Sequence, residues 1–240
     1  MSKLVVITGA SSGIGRATAI RLSKAGYSLL LLARRVEKLE ELNLPNTMVR
    51  KLDVTDLSRF QEVIDEATNK FGPVDLIVNN AGIMLLGNIA TQNPVEWQQM
   101  LNVNVMGVLN GIKVVLSDML KRNSGTIINI SSIAGRKTFP DHAAYCASKF
   151  AVHALSENIR GEIANSNVRM TVIAPGVVET ELLSHTTDNN IINNYNNWKQ
   201  NTIKHGLDPD EIANAIEYAY TRPQNVCIRE IVIADTRQDA

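Results

Sequence analysis

Short runs of Leu, Ile and Val alternate along the chain with longer segments in which apolar residues recur every three or four positions. The short runs predict strands at 4–8, 28–33, 48–52, 74–79, 125–131, 168–174 and 226–233. Several are apolar at nearly every position, as in strands covered on both faces of a parallel sheet. The longer segments predict helices at 14–25, 36–42, 57–70, 94–121, 143–164 and 209–221. Start signals support them. Asp56 is placed to cap the third, and Asn93-Pro94 puts a proline at the first helical position of the fourth. Strand and helix in steady alternation predict an α/β fold, a doubly wound sheet of about seven parallel strands with helices on both faces. No linker or repeat divides the chain, so residues 1–240 are expected to form one domain.

One region breaks this rhythm. Residues 187–201 are rich in asparagine, with Tyr195 and Trp198 embedded. Two readings stand: a solvated surface loop, or a mobile lid over a pocket whose aromatics bury on closure. Its place after the carboxyl end of the sixth strand favours a lid spanning about 182–206.

Composition narrows the function classes. The 240 residues carry 24 basic and 24 acidic side chains. No net field exists to attract nucleic acid or an anionic membrane, and neither is expected as a partner. Cys146 and Cys227, without CxxC spacing, indicate neither a disulfide framework nor a zinc site and fit a reducing cytoplasm. The four histidines are scattered, so no metal is expected. Neither a signal peptide nor an apolar run of about 18 residues is evident, so no membrane span is expected.

The chemistry begins directly after the first strand. Thr8-Gly9-Ala10-Ser11-Ser12-Gly13-Ile14-Gly15 joins that strand to the first helix, the setting in which a glycine-rich turn binds a dinucleotide. Gly9 permits the tight turn. Gly13 and Gly15 allow backbone to approach a pyrophosphate and the helix to pack on the sheet. The helix N-terminus adds free N–H groups and partial positive charge. The second strand ends at Ala33-Arg34-Arg35, with no acidic residue for a ribose 2′-hydroxyl. Two guanidiniums suit a 2′-phosphate, so NADP(H) is expected over NAD(H), with Arg34 nearer the strand end. The alternative is that both arginines are solvated residues at a helix start.

Further on, Tyr145 and Lys149 stand four apart in a helical segment and so share one face. A neighbouring ammonium favours phenolate, so Lys149 is expected to lower the Tyr145 pKa and make it a proton donor and acceptor near neutrality. Core packing with a snorkelling lysine is the other reading of the pair alone.

Taken in order, these residues resemble the short-chain dehydrogenase/reductase family over essentially the whole chain. The matching motifs are the Thr8–Gly15 turn, Asn79-Asn80-Ala81-Gly82, Asn104 within Val103-Asn104-Val105, Ser132 followed by Tyr145 and Lys149, and Pro175-Gly176. The resemblance implies a Rossmann-like domain and NAD(P)-dependent oxidoreductase activity. It implies that Tyr145 exchanges a proton with a substrate carbonyl or alcohol oxygen, and that Ser132 polarises that oxygen. Lys149 would bind the nicotinamide ribose, and Asn104 would hold a water linking Lys149 to solvent. By the same resemblance Ser11, Ser12, Ile14, Asp53, Val54, Asn80, Ala81, Gly82, Pro175, Gly176, Val178 and Thr180 join the cofactor contacts. His142 could reach the substrate. The pocket walls would include Ile83, Met84, Leu85, Phe139, His142 and residues 177–183. Arg136 and Lys137 either pair with a substrate carboxylate or lie exposed.

The ending, residues 227–240, lacks a Gly-Gly segment common in the family and is similar to the branch of 3-hydroxy acid and serine-type dehydrogenases. The expected substrate is a small carbonyl or alcohol. A non-catalytic dinucleotide sensor of the same fold is the alternative. The helices at 94–121 and 143–164 carry apolar residues on more than one face, which must be buried somewhere. The family commonly pairs these helices, implying a homotetramer or dimer.

Overall fold

In the computed structural model, which describes residues 3–239, the alternation becomes a seven-stranded parallel sheet. The strands are β1 (Leu4–Thr8), β2 (Ser28–Ala33), β3 (Thr47–Lys51), β4 (Val74–Asn79), β5 (Gly125–Ile130), β6 (Val168–Pro175) and β7 (Glu230–Ile233). Their spatial order is β3-β2-β1-β4-β5-β6-β7. The chain winds outward from β1 in one direction to β3 and in the other from β4 to β7. The strand order therefore reverses between β1 and β4, and a crevice opens beyond their carboxyl ends.

Every residue of β1, β2 and β5 is buried. Alternate side chains feed two cores. Leu4 and Val6 join Phe60, Ile112 and Met119 on one face. Val5 and Ile7 join Leu22, Ile212 and Ile216 on the other. The first face is covered by α3 (Leu57–Phe71), α5 (Gly107–Arg122) and α6 (Ala143–Glu162), the second by α1 (Gly13–Lys24) and α8 (Pro209–Tyr220); α4 (Pro94–Leu101) packs against α6. A short helix, α2 (Val36–Glu40), follows β2; α7 (Asn189–Thr202) lies outside the sheet layers. Asp56 caps α3 by accepting from the Arg59 amide at 2.9 Å, and Asn93 caps α4 with Pro94 in its first turn.

Three expectations need correction. The seventh strand begins at Glu230 rather than 226; Glu230–Ile233 alone pairs with β6, from Val172↔Glu230 to Pro175↔Ile233. The helix expected at 94–121 is continuous to Arg122 but contains a π-helical turn at Asn102–Met106, which re-aims its face around Asn104. By length and composition the span Pro94–Arg122 could cross a membrane. Here its second half packs Val108, Ile112, Val115 and Met119 into the core beside the sheet. The asparagine-rich region is not irregular. It forms a 3₁₀ turn, Glu181–His185, and then α7, capped by the Asp188 carboxylate accepting from the Asn190 and Ile191 amides.

Candidate active site

The crevice is a cleft of about 820 Å³ running from the glycine-rich turn to α7. Its near end is built from the first strand–helix junction. Gly9 and Gly13 adopt left-handed backbone angles, φ 64° and 49°. A Cβ on Gly9 would stand 2.8 Å from the Ala81 Cα, and one on Gly13 2.7 Å from the Thr180 Cγ2. Both positions therefore require glycine. Gly15 lies beneath the cleft instead of lining it, its Cα against the Gly9 carbonyl. Ser11, Ser12 and Ile14 line the turn with Gly9 and Gly13. The cradle leaves backbone bare where a pyrophosphate would approach, so the residues present fit a dinucleotide.

Thr8 ties this turn to the neighbouring strand. Its hydroxyl accepts from the Asn80 and Ala81 amides at 2.9 and 3.0 Å and donates to the Val78 carbonyl at 3.3 Å. The Asn80 side chain returns the link, donating to the Thr8 and Gly9 carbonyls at 3.0 and 3.2 Å. Asn80, Ala81 and Gly82 thus line the cleft as a fixed wall. Sequence reasoning named Thr8 in the turn without giving it a role; its signal was a hydroxyl at the last position of an otherwise apolar strand.

Arg34 and Arg35 line the cleft at the end of β2, with Asp53 and Val54 beyond β3. Arg35 donates to the Ser12 hydroxyl at 3.1 Å and to Ser11 at 3.4 Å. Against some desolvation, bonds from the Thr55 amide and hydroxyl and the charge of Arg34 hold the Asp53 carboxyl below its ordinary range.

The far end holds the candidate chemistry. Ser132 follows β5 and caps the turn Ile133–Gly135, its oxygen accepting from the Ala134 amide at 3.1 Å. Tyr145 and Lys149 stand one turn apart on α6, 5% and 6% exposed. The Ser132 hydroxyl donates to the Pro175 carbonyl at 3.4 Å and faces the Tyr145 phenol. Lys149 Nζ donates to the Ile130 carbonyl at 3.1 Å and lies 5.8 Å from the Tyr145 ring centre. Burial pushes the ammonium down to about 8.

The expected lowering of the Tyr145 pKa is not found. Desolvation dominates and holds the phenol above its ordinary range, with the Ser132 hydroxyl only partly opposing it. Lys149 is itself depressed by the same burial and aims at the Ile130 carbonyl.

Asn104 sits behind the cleft, 1% exposed. Its amide donates to the Ile83 carbonyl at 2.9 Å and the Ser148 hydroxyl at 3.0 Å, and its oxygen accepts from the Ile83 amide at 2.8 Å. The side chain is spent on holding the 82–84 segment to α6. Lys149 Nζ comes near the same segment, 3.7 Å from where a Gly82 Cβ would stand.

Pro175, Gly176, Val178 and Thr180 line the cleft after β6. The walls include Ile83, Met84, Phe139, His142 and 177–183 as expected, with Leu86 in place of Leu85. His142 Nδ1 donates to the Pro140 carbonyl at 2.6 Å, and burial keeps its imidazole below the ordinary range. Its ring lies 6.3 Å from Tyr145 and 6.5 Å from Tyr195 on α7. Arg136 and Lys137 turn away from the cleft and pair with Glu230 and Asp239.

A cleft of this kind, at the switch point of a parallel sheet, is where doubly wound α/β proteins bind their ligands. The chain belongs to the short-chain dehydrogenase family, whose pattern matches residues 3–191. It is 42% identical to an uncharacterised oxidoreductase of Staphylococcus saprophyticus, over 98% of this chain and 97% of that one. Among solved structures it resembles serine dehydrogenase in its closed form with NADP+, at 28% identity and TM-score 0.91, covering 99% and 96% of the two chains. It also resembles the alcohol dehydrogenase of Thermococcus sibiricus with 5-hydroxy-NADP, at 27% identity and TM-score 0.86, covering 100% and 99%.

Proposed function

We propose that this chain is a single-domain, NADP(H)-dependent oxidoreductase that transfers a hydride between nicotinamide and a small carbonyl or alcohol, with Tyr145 as general acid and base. The observation that carries this reading is one cleft with the glycine turn and two arginines at one end and Ser132, Tyr145 and Lys149 at the other. Similarity to structures holding NADP+ and 5-hydroxy-NADP supports the cofactor.

The cofactor, when bound, supplies the hydride. Gly9, Ser11, Ser12, Gly13 and Ile14 would hold its diphosphate, Arg34 and Arg35 its 2′-phosphate, and Asp53, Val54 and Asn80–Gly82 its adenosine. Residues 175–180 would take the nicotinamide end. Ser132 donates a hydrogen bond to the substrate oxygen beside the phenol it faces. Tyr145, kept protonated by its burial, donates its proton to that oxygen during reduction. Lys149, an ammonium below about pH 8, stabilises the phenolate that remains. Asn104 positions the wall on which Lys149 rests, and His142 presents a neutral imidazole to the substrate. The helix α7 and its 3₁₀ stem act as the lid over 182–206. Val95, Leu101, Met106 and Phe150, all exposed on α4–α6, support association of these helices into a homotetramer. Free thiols at Cys146 and Cys227 fit a reducing cytoplasm.

The test is a panel of aldehydes, ketones and hydroxy acids followed by NADPH absorbance. Tyr145→Phe should lower turnover by about 10²–10⁴-fold while leaving NADPH affinity unchanged. Undiminished turnover in that variant refutes the mechanism. NADPH binding without turnover of any substrate in the unmodified protein favours a dinucleotide sensor.

A further inference from the structure

The cations at the end of β2 are already held from the lid side. Arg35 Nη2 lies 2.8 Å from Glu181 Oε2, and Lys38 Nζ donates to Glu181 Oε1 at 3.1 Å. One carboxylate thus spans a guanidinium and an ammonium, one oxygen to each. The same guanidinium reaches the Ser11 and Ser12 hydroxyls of the phosphate-binding turn. Glu181 opens the 3₁₀ turn that starts the lid, and Thr180, which caps that turn, stands over Gly13. His185, at the far end of the turn, lies in the field of Arg34 and Arg35. A cleft of about 510 Å³ opens beside the pair, bordered by Ser12, Arg16, Lys38, Glu41 and Glu181. The lid stem is therefore docked on the phosphate-binding end of the site through a single carboxylate.

We propose that Glu181 reads the cofactor's 2′-phosphate. Its carboxylate sits in an anion seat formed by Arg35 and Lys38; a 2′-phosphate takes that seat and releases the lid stem. This rests on the NADP(H) reading above. The seat offers a planar fork and a point charge, a donor pair suited to a phosphate. A phosphate monoester carries about −1.5 to −2 charge near neutrality, against one for the carboxylate, so it wins the exchange. A ribose 2′-hydroxyl carries no charge and leaves the carboxylate in place. NAD(H) therefore binds with the lid stem still clamped, and NADP(H) binds with it freed. Because both ion pairs are about half exposed, the carboxylate is a weak competitor, and removing it changes affinity by about three- to tenfold.

The experiment compares calorimetric binding of 2′-phospho-ADP-ribose and ADP-ribose to the unmodified protein, Glu181→Gln, Arg34→Ala and Arg35→Ala. Glu181→Gln should bind the phosphorylated probe about three- to tenfold tighter and ADP-ribose unchanged. Hydrogen exchange at 181–185 should quicken in the unmodified protein with the phosphorylated probe and not with ADP-ribose. If Glu181→Gln binds the phosphorylated probe equally or more weakly, while the arginine variants still lose preference for it, the seat is refuted and the cofactor reading survives. Equal affinity of the unmodified protein for both probes, with equal losses in the arginine variants, overturns both.

Discussion

The two walls of the cleft are built in opposite ways. The wall from β1 to β4 has its polar groups tied to backbone: Thr8 bridges two strands, Asn80 returns two bonds, and Asn104 makes two, with a third to the Ser148 hydroxyl. On the opposite wall neither the 3₁₀ turn nor α7 contains a fully buried residue. That wall is held by Leu182, Leu183, Ile191 and Tyr195, half-buried against the cluster around Met84, Met100 and Tyr145, and by polar side-chain contacts at its ends. Lys199 pairs with Glu179 at 2.6 Å, Glu179 also accepts from the Gly206 amide, and Glu181 reaches Arg35 and Lys38. Thr186, just beyond the turn, is buried and bonds Met84 and Leu86. A wall of buried, mutually satisfied groups opens only with the whole domain, whereas one of half-buried side chains and exposed ion pairs opens locally. The division suits a site in which one cofactor is held constant and the substrate is admitted by a movable part.

The sharpest way to break this comparison is to strain the fixed wall. Gly9→Val puts a branched side chain at φ 64° and a Cβ 2.8 Å from backbone of Ala81. Left-handed strain and overpacking together cost about 3 kcal/mol or more. Urea denaturation should show that loss, and NADPH affinity should fall with it. A cost below about 1 kcal/mol would mean that the wall yields, and the contrast would fail.

The next test uses the buried ammonium. Lys149 titrates at about 8 in the fold against 10.5 in its ordinary setting, because desolvation disfavours its charged form. Below pH 8 both folded and unfolded chains carry the charge, and the fold bears the full cost of burying it. Between about 8 and 10.5 the unfolded chain holds the proton and the fold does not, so stability rises with pH through that window. Lys149→Met removes the cost and one hydrogen bond, to the Ile130 carbonyl. It should stabilise the protein by about 2 kcal/mol at neutral pH while abolishing turnover. That advantage should shrink from pH 8 to 10.5 in paired denaturation curves. A variant less stable than the parent at pH 7 would make Lys149 a structural anchor.

These two walls also differed in how far the chain disclosed them. β1 and the turn were legible because fully buried strands are apolar at every position and because a left-handed turn against backbone admits only glycine. Asp56 and Asn93 were legible as caps for a similarly local reason. The helix α7 was not. Seven of its fourteen residues are asparagine, a poor helix former, and that composition hid the stripe of Ile191, Tyr195 and Trp198 at helical spacing. The π-helical turn at Asn102–Met106 escaped because one extra backbone residue per turn scarcely alters an apolar pattern. The Tyr145 ionisation was misjudged for a different reason. Spacing places an ammonium beside a phenol, but only the packed fold reveals that both are buried and that Lys149 points to a carbonyl.

The smallest expected effect lies on the α7 wall. Trp198 packs edge-on against Tyr195 at 5.7 Å, and Tyr195 in turn faces His142. Burial pushes the Tyr195 phenol up to about 12, so it stays a neutral hydrogen-bonding group throughout the working range. Trp198 is 38% exposed on a helix that contributes nothing to either core. Trp198→Ala should therefore change stability by no more than about 0.5 kcal/mol. It removes the aromatic backing of Tyr195, a contact worth about 0.5–1.5 kcal/mol, and so should raise KM for the carbonyl substrate severalfold with kcat little changed. Amides of α7 should exchange faster than those of α1 in both proteins. A stability loss above 2 kcal/mol on removing this indole would place α7 in the core and erase the distinction between the walls.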